Sequence, residues 1–216
     1  MSSARFCCIY FALVALAGAR ARPSPIKTIA LSPVQAPDGL EDPAPASALF
    51  DSLLAAELGQ AGLTVIPSRE TGAIWQHFVD SVQGYYSALT GELVQAKYAA
   101  VRTNTLRALR DRFRADAWLR PTIQVVSVRF AGGEAIWDGA SEGMGGGSSG
   151  ATVALSLVVT VSDTAGTDIY IGRGGIQALS KGSNVVDRSK LFRDRKRNLQ
   201  AVHLAIDSLL ARAGRT

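Results

Sequence analysis

IKTIALSPVQAPDGLEDPAPASALFDSLLAAELGQAGLTVIP, from Ile26 to Pro67, is the stretch whose reading decides the fold. Ile26–Leu31 is a short β-branched run that suits a strand. Pro33 to Pro45 holds four of the chain's eight prolines. Proline fixes φ and has no N–H for a ladder, so this part predicts a loop. Ser47 is placed to cap a helix whose apolar positions, Leu49, Phe50, Leu53, Leu54 and Leu58, recur at helical spacing, and Gly62 is placed to end it. Leu63–Ile66 reads as a buried strand stopped by Pro67. Strand, helix and strand in this order form a βαβ unit, which predicts two parallel neighbouring strands and a right-handed crossover.

Downstream, Ile74, Trp75, Phe78, Val82, Tyr86 and Leu89 form a helical stripe over Thr71–Leu89, with Gly84 and Gly91 as breaks. A third helix is expected over Glu92–Phe113, with Leu93, Ala96, Ala100, Leu106, Leu109 and Phe113 on one side. Arg102, Arg107, Arg110, Arg112 and Arg114 decorate the remainder, which reads as a solvated face. Beyond it the pattern changes to β: Ile123–Phe130 and Ala135–Trp137 flank the turn Gly132-Gly133. In the next strand Val153, Leu155, Leu157, Val159 and Val161 alternate with Thr152, Ala154, Ser156, Thr160 and Ser162, a period of two interrupted only at Val158. Thr164-Ala165-Gly166 supplies a hairpin turn and Asp168–Gly172 the partner strand. Ser189–Ala213 closes the chain as a helix with the stripe Phe192, Leu199, Val202, Ile206, Leu209 and Ala213.

Upstream of Ile26 lie Arg5, an apolar run from Phe6 to Gly18, and the small-residue sites Ala17-Gly18-Ala19 and Ala19-Arg20-Ala21. This is the anatomy of a secretory signal peptide, with cleavage after Ala19 or Ala21. A bilayer span needs about 20 consecutive apolar residues; the run is shorter and has no successor, so no transmembrane segment is expected in the mature chain. Cys7 and Cys8 open the apolar run, whereas a lipobox cysteine follows it, so they read as filler lost with the leader. A mature chain without cysteine has no disulfide, thiol catalysis or thiolate metal site. Losing Arg5 and Arg20 lowers the net charge from +5 to +3. That mild excess, without a stacking or groove-reading motif, argues against nucleic acid as a partner.

Each catalytic pattern fails in its context. Gly143–Gly150 (GMGGGSSG) lacks the lysine and the following helix of a phosphate loop. Its Gly146-Gly147-Ser148-Ser149-Gly150 spells G-x-S-x-G but leads into a strand instead of a helix. Gly172-Arg173-Gly174-Gly175 is too short for a dinucleotide fingerprint, and its glycines predict a bulge or tight turn. His77 and His203 have no neighbouring ligand for a zinc site and read as hydrogen-bonded histidines beside apolar stripes. Asp138 and Glu142 are close enough in sequence to suggest a glycosidase pair, yet Asp138 reads more simply as a turn former. The basic run Arg188–Arg197 opens the last helix, where the helix dipole disfavours cations, with Asp187 and Asp194 as counter-charges.

A leader followed by a strand such as IKTIALSPV, a helix such as FDSLLAAELGQAG and a strand such as LTVIPS resembles the amino-terminal domains of bacterial envelope accessory proteins. That grouping holds the curli-secretion lipoproteins, the penicillin-binding-protein activator lipoproteins and the amino-terminal domain of the Tol-system periplasmic protein. Arg114-Ala115-Asp116-Ala117-Trp118-Leu119, leading into Ile123–Phe130, is similar to the place where those proteins carry G-A-D-A-V-L before a central strand. The chain departs from the lipoprotein members in lacking the lipobox cysteine. It also lacks long amphipathic hairpins for a pore, since Gly143–Gly150 is too short to cross a bilayer. The resemblance implies a non-catalytic partner-binding domain and brings no functional residue with it.

The sequence thus predicts a signal peptide at 1–21 and one α/β (α+β) domain at 22–216, with a mobile glycine-rich loop at 142–150. The expected architecture is one mixed β-sheet with a parallel βαβ start, antiparallel hairpins and helices packed on it. The function expected is that of a non-catalytic periplasmic or secreted envelope accessory protein that binds a protein partner, without a cofactor. Two alternatives stay open: a small exported hydrolase of glycan or ester substrates, and a binder of anionic lipid or glycan. Arg173, Arg188, Lys190, Arg193, Arg195, Lys196 and Arg197 are the candidate contact residues for an anionic surface, and oligomer formation is left open.

Overall fold

The computed structural model describes residues 26–37, 40, 43–147, 149–181, 184–185 and 191–213. The expected leader at 1–21, Arg188 and Lys190 lie outside the described residues. The elements run β1 (Thr28–Leu31), α1 (Pro43–Gln60), β2 (Thr64–Ile66), α2 (Ser68–Ser81), α3 (Gln95–Phe113), β3 (Ala117–Ala131), β4 (Glu134–Trp137) and β5 (Ala140–Gly143). Then come β6 (Gly150–Asp163), β7 (Asp168–Ala178), the short pair β8 (Ser180–Lys181) and β9 (Asn184–Val185), and α4 (Arg195–Ala213). The main sheet is mixed, as the sequence predicts. β1 lies between β2 and β3 and is parallel to both; β3, β6 and β7 are antiparallel neighbours; β4 and β5 continue as hairpins from the far end of β3.

Local chemistry explains where several elements start and stop differently from expectation. α1 begins at Pro43 and not at Ser47. Proline is tolerated in a first helical turn because the N–H it lacks would have no partner there. At the other end Gly62 takes φ +83, as the helix stop requires. α2 ends at Ser81, well before Leu89, because Gln83 and Gly84 both adopt positive φ and turn the chain away. Val82, Tyr86 and Leu89 therefore leave the predicted stripe. Residues 82–94 instead form a narrow arm closed by Ser87 N–H to Glu92 O and Val94 N–H to Tyr85 O. Leu89 stands at its tip, 97% exposed.

β3 starts at Ala117, earlier than the predicted Ile123. The Asp116 carboxylate ahead of it accepts the N–H groups of Lys27 and Thr28, both at 2.9 Å, and so pins β1 beside β3. β7 runs on through the glycine cluster to Ala178. Gly172 and Gly174 face α4 so closely that an added Cβ would lie 1.9 Å from the carbonyl oxygens of Ala205 and Ala201. The two glycines let a helix backbone rest directly on a strand. Residues 172–175, where the sequence predicts a bulge or tight turn, pair with β6 in regular register, and the bulge lies just beyond them: the register shifts between Leu155 and Ser156, which leaves Ile176 as the extra residue.

The register divides the side chains of the sheet between two faces. Leu31, Leu119, Val161 and Tyr170 are cross-strand neighbours, all buried in the large core that α1 and α4 cover. One residue along, Ile66, Ala30 and Trp118 point the opposite way and pack with Leu106 and Leu109 of α3 and Ile74 and Trp75 of α2. Burying a leucine- or phenylalanine-sized side chain contributes about 1.5–3 kcal/mol. The face that holds more of them, under α1 and α4, anchors the fold.

Candidate functional site

On the second face, the row that begins Ile66–Ala30–Trp118 continues into Ser162 and Asp168. The next row is Arg120–Thr160–Ile171 and the one after it Thr122–Val158–Arg173. Alternation fixes this side of the strands as the side away from α1 and α4. α2 and α3 pack over the first row. Arg120, Thr160 and Thr122 of the second and third rows border an opening beside those helices.

A charge cluster marks the edge of that opening. Asp168 Oδ1 accepts from Arg102 Nη2 at 2.8 Å, from Arg120 Nη2 at 3.0 Å and from the Ser162 hydroxyl at 2.6 Å. Arg102 also donates to the carbonyl of Gly166 at 2.7 Å. Burial alone would push the Asp168 carboxyl up, but the Ser162 hydroxyl and the two guanidiniums outweigh it and hold the group below its ordinary value. One carboxylate between two arginines leaves a positive charge. The Nε–H groups of both arginines are buried without a partner among the described residues, so the carboxylate satisfies only part of each guanidinium.

Arg120 borders a cleft of about 540 Å³ between the arm, α2, α3 and the sheet. Its wall is a chain of aromatic rings centred on Trp75, whose centroid lies 5.6–5.9 Å from those of Trp118, Tyr85 and Tyr98. Tyr85 in turn is 5.0 Å from Tyr86, which is 60% exposed. Burial first, and then the neighbouring phenol of Tyr86, push the Tyr85 hydroxyl up against the pull of a hydrogen bond with Trp75. The Trp118 indole donates to Ser32 Oγ at 2.6 Å, and its ring lies 5.1 Å from the Arg120 guanidinium carbon. The arm carries the outer side of the wall. Its positive-φ turn after α2 is therefore what opens the cleft.

The residues singled out by sequence fall elsewhere. Asp138 is a turn residue at φ +42 whose carboxylate accepts from Ser156 Oγ at 2.6 Å. Glu142 is buried in β5, where it accepts the N–H of Ala178 at 2.8 Å and faces Arg197 Nη1 at 3.2 Å. Both carboxylates tie the β4–β5 hairpin to the sheet. His203 meets Glu57 at 2.9 Å, the hydrogen-bonded role expected of it. His77 borders a separate hollow with Glu70, Phe78 and Arg112. Neither histidine is bonded to Asp138 or Glu142. No group of three or more His, Cys, Asp or Glu suited to a metal occurs among the described residues.

The basic candidates are divided between the two faces. Arg173 is exposed on β7, on the face turned away from α4, because its neighbours Gly172 and Gly174 meet that helix. Arg193, Arg195 and Lys196 are exposed around the start of α4, and Arg197 is half-buried against Glu142. Asp194 Oδ1 accepts the N–H of Arg197 at 3.1 Å, capping the helix beneath the cations. Arg102, Arg120 and Asp168 escaped the sequence reading. Arg102 had the look of a solvated helix residue, and no local spacing joins residues that lie 48 and 66 positions from their shared carboxylate.

No family model and no curated protein matches the sequence. Among solved structures the chain is similar to lipoprotein GNA1162 from Neisseria meningitidis, at 20% identity over 73% of this chain and 87% of that one, with a TM-score of 0.36. It is similar also to the hypothetical protein CT253 from Chlamydia trachomatis, at 15% identity over 86% and 92% of the two chains and a TM-score of 0.41. A third is the LpoB C-terminal domain from Salmonella enterica, at 10% identity over 71% and 84% and a TM-score of 0.33. No residue role is carried from them to this chain. No helix among the described residues is long and apolar enough to cross a membrane.

Proposed function

We propose that this chain is an exported, non-catalytic accessory protein of the bacterial envelope that binds an extended segment of a protein partner along the outer edge of β7. Export rests on the leader at 1–21 and its two cleavage sites. The observation that carries the docking reading is the contrast between the two edges of the sheet. β2 is three residues long, the short edge by which proteins discourage further pairing. β7 is eleven residues long, and among the described residues β6 is its only strand partner.

Its outer edge is occupied at Gly175, whose N–H donates to Asp138 O, which leaves the stretch before it for a visitor. Ile171 there is 62% exposed and Arg173 follows on the same face, while Ile169 is exposed at a second shift of register. A strand added at this edge gains main-chain hydrogen bonds, and alternate side chains read apolar then acidic groups. A hydrolase finds no support, because the two candidate carboxylates hold the hairpin and neither histidine joins them.

The test is a photo-crosslinking residue placed at position 171 of the full exported chain in living bacteria, with position 111 on α3 as the comparison. One discrete protein adduct is expected from 171 and none from 111, and Ile171→Arg in a chain probed at 173 should remove it. Adducts of equal yield at both positions, or none at 171, would overturn the docking surface.

A further inference from the structure

The aromatic cleft has a chemistry that edge docking leaves unused. Its volume of about 540 Å³ falls among small-ligand sites. Among the described residues the lining contains one cation, Arg120, and no carboxylate. Arg120 donates to Asp168 and Ser162 through Nη2 only, and its Nη1 has no hydrogen bond to any described residue. Asp168 is already shared with Arg102, so it does not neutralise the pair.

The neutral part of the lining is equally specific. Trp75 and the exposed Tyr86 bring aromatic rings to the lining. The amides of Gln35 and Gln76, the latter with its nitrogen already donating to Asp80 Oδ1 at 2.8 Å, and the hydroxyls of Thr122 and Thr160 offer both donors and acceptors. A ligand that uses all of these has a flat apolar face, a rim of hydroxyls and one negative charge. Acyl chains have no use for the amides, and a phosphate monoester brings more charge than one arginine meets. We infer that the cleft binds a saccharide carrying a single carboxylate. The pyranose ring lies against Tyr86 and Trp75, its hydroxyls meet the glutamines and threonines, and its carboxylate accepts from Arg120 Nη1. This site is distinct from the β7 edge and adjoins it through the pair Thr160–Ile171.

The chain's three tryptophans supply the readout. Trp75 and Trp118 line the cleft, while Trp137 donates to Leu155 O in a different cluster under the β4–β5 hairpin. In a nitrogen–proton spectrum of the full chain, a glucuronate-containing disaccharide should move the indole signals of Trp75 and Trp118 and leave that of Trp137 in place. Its carboxyl-reduced twin should bind about tenfold more weakly, the loss expected for one charge-assisted hydrogen bond. Arg120→Gln should bring the two sugars to the same affinity. Tyr86→Ala, at an exposed site where folding is not at stake, should weaken both together. Equal affinity of acid and neutral sugar for the natural chain would overturn the inference, as would a shift confined to Trp137, or full affinity retained in Tyr86→Ala. A failure here leaves the crosslink at position 171 unaffected, so the two readings fall separately.

Discussion

On the face toward α1 and α4, the row Leu31–Leu119–Val161–Tyr170 is buried from end to end. One residue along each strand, on the face toward α2 and α3, the row Ile66–Ala30–Trp118–Ser162–Asp168 passes from apolar to charged within the width of the sheet. Both faces arise from the same alternation in the same strands. They differ in what covers them. α4 lies on β7 at backbone distance because Gly172 and Gly174 permit it, whereas α2 and α3 leave the polar rows around Arg120 and Thr122 open to a cleft. One face supplies stability, and the other is free to carry polar and charged groups that a packed core would not tolerate.

That difference sets the order in which substitutions should hurt. Leu157, fully buried under α4, should cost about 2–5 kcal/mol when changed to alanine, the range for leucine truncation in a packed core. Thr160→Ala, three residues further along the same strand but on the cleft side, should stay within about 0.5 kcal/mol. Urea unfolding of both variants with unchanged slopes checks this. A comparable loss from Thr160→Ala would mean that the open face is a structural one after all.

A smaller effect is expected at Asp168. Its side chain is 41% exposed, so solvent screening limits what the two arginines contribute, and Asp168→Asn should cost no more than about 1 kcal/mol at neutral pH. The folded-state value is depressed, so this contribution is present above the ordinary aspartate value near 3.9 and is lost as the pH falls through the folded one. Stability of the natural chain should therefore drop more steeply on acidification below about pH 4 than stability of Asp168→Asn. Parallel curves would remove Asp168 as the keystone of the pair of arginines.

The covered face was far more legible in the sequence than the open one, for physical reasons. Leu155, Leu157, Val159 and Val161 announce a buried face by an alternation that only Val158 interrupts, and Gly62 and Pro67 punctuate the βαβ start where the chain must turn. Burial of large apolar residues is a local demand repeated along each strand. The cleft depends on contacts that no period encodes. Trp75, Val82, Tyr86 and Leu89 share helical spacing, yet two successive positive-φ residues, Gln83 and Gly84, break the helix and turn its expected continuation into the arm. The glycines at 172 and 174 read as a bulge or tight turn because their real constraint, the backbone of α4, comes from the end of the chain. Arg102 reads as a solvated helix residue until the β6–β7 turn brings Asp168 beneath it.

The smallest effect separates two aspartates by the sign of their response to pH. Asp51 on α1 accepts the Val34 N–H and the Ser68 hydroxyl, both at 2.9 Å. Burial nevertheless prevails and holds its carboxyl above the ordinary value. A raised folded-state value means that ionising Asp51 costs stability, a cost absent below the ordinary value and fully present above the folded one. Acidification through that window should relieve Asp51 while it begins to undermine Asp168. Ser68→Ala withdraws a donor that favours the carboxylate, so Asp51 should titrate higher still, with Asp168 unmoved. Carbon-detected titration of the side-chain carboxyls reads both groups in one sample. If Asp51 titrated below Asp168, the contrast between a carboxylate desolvated beside the packed face and one held by two arginines at the open face would be reversed.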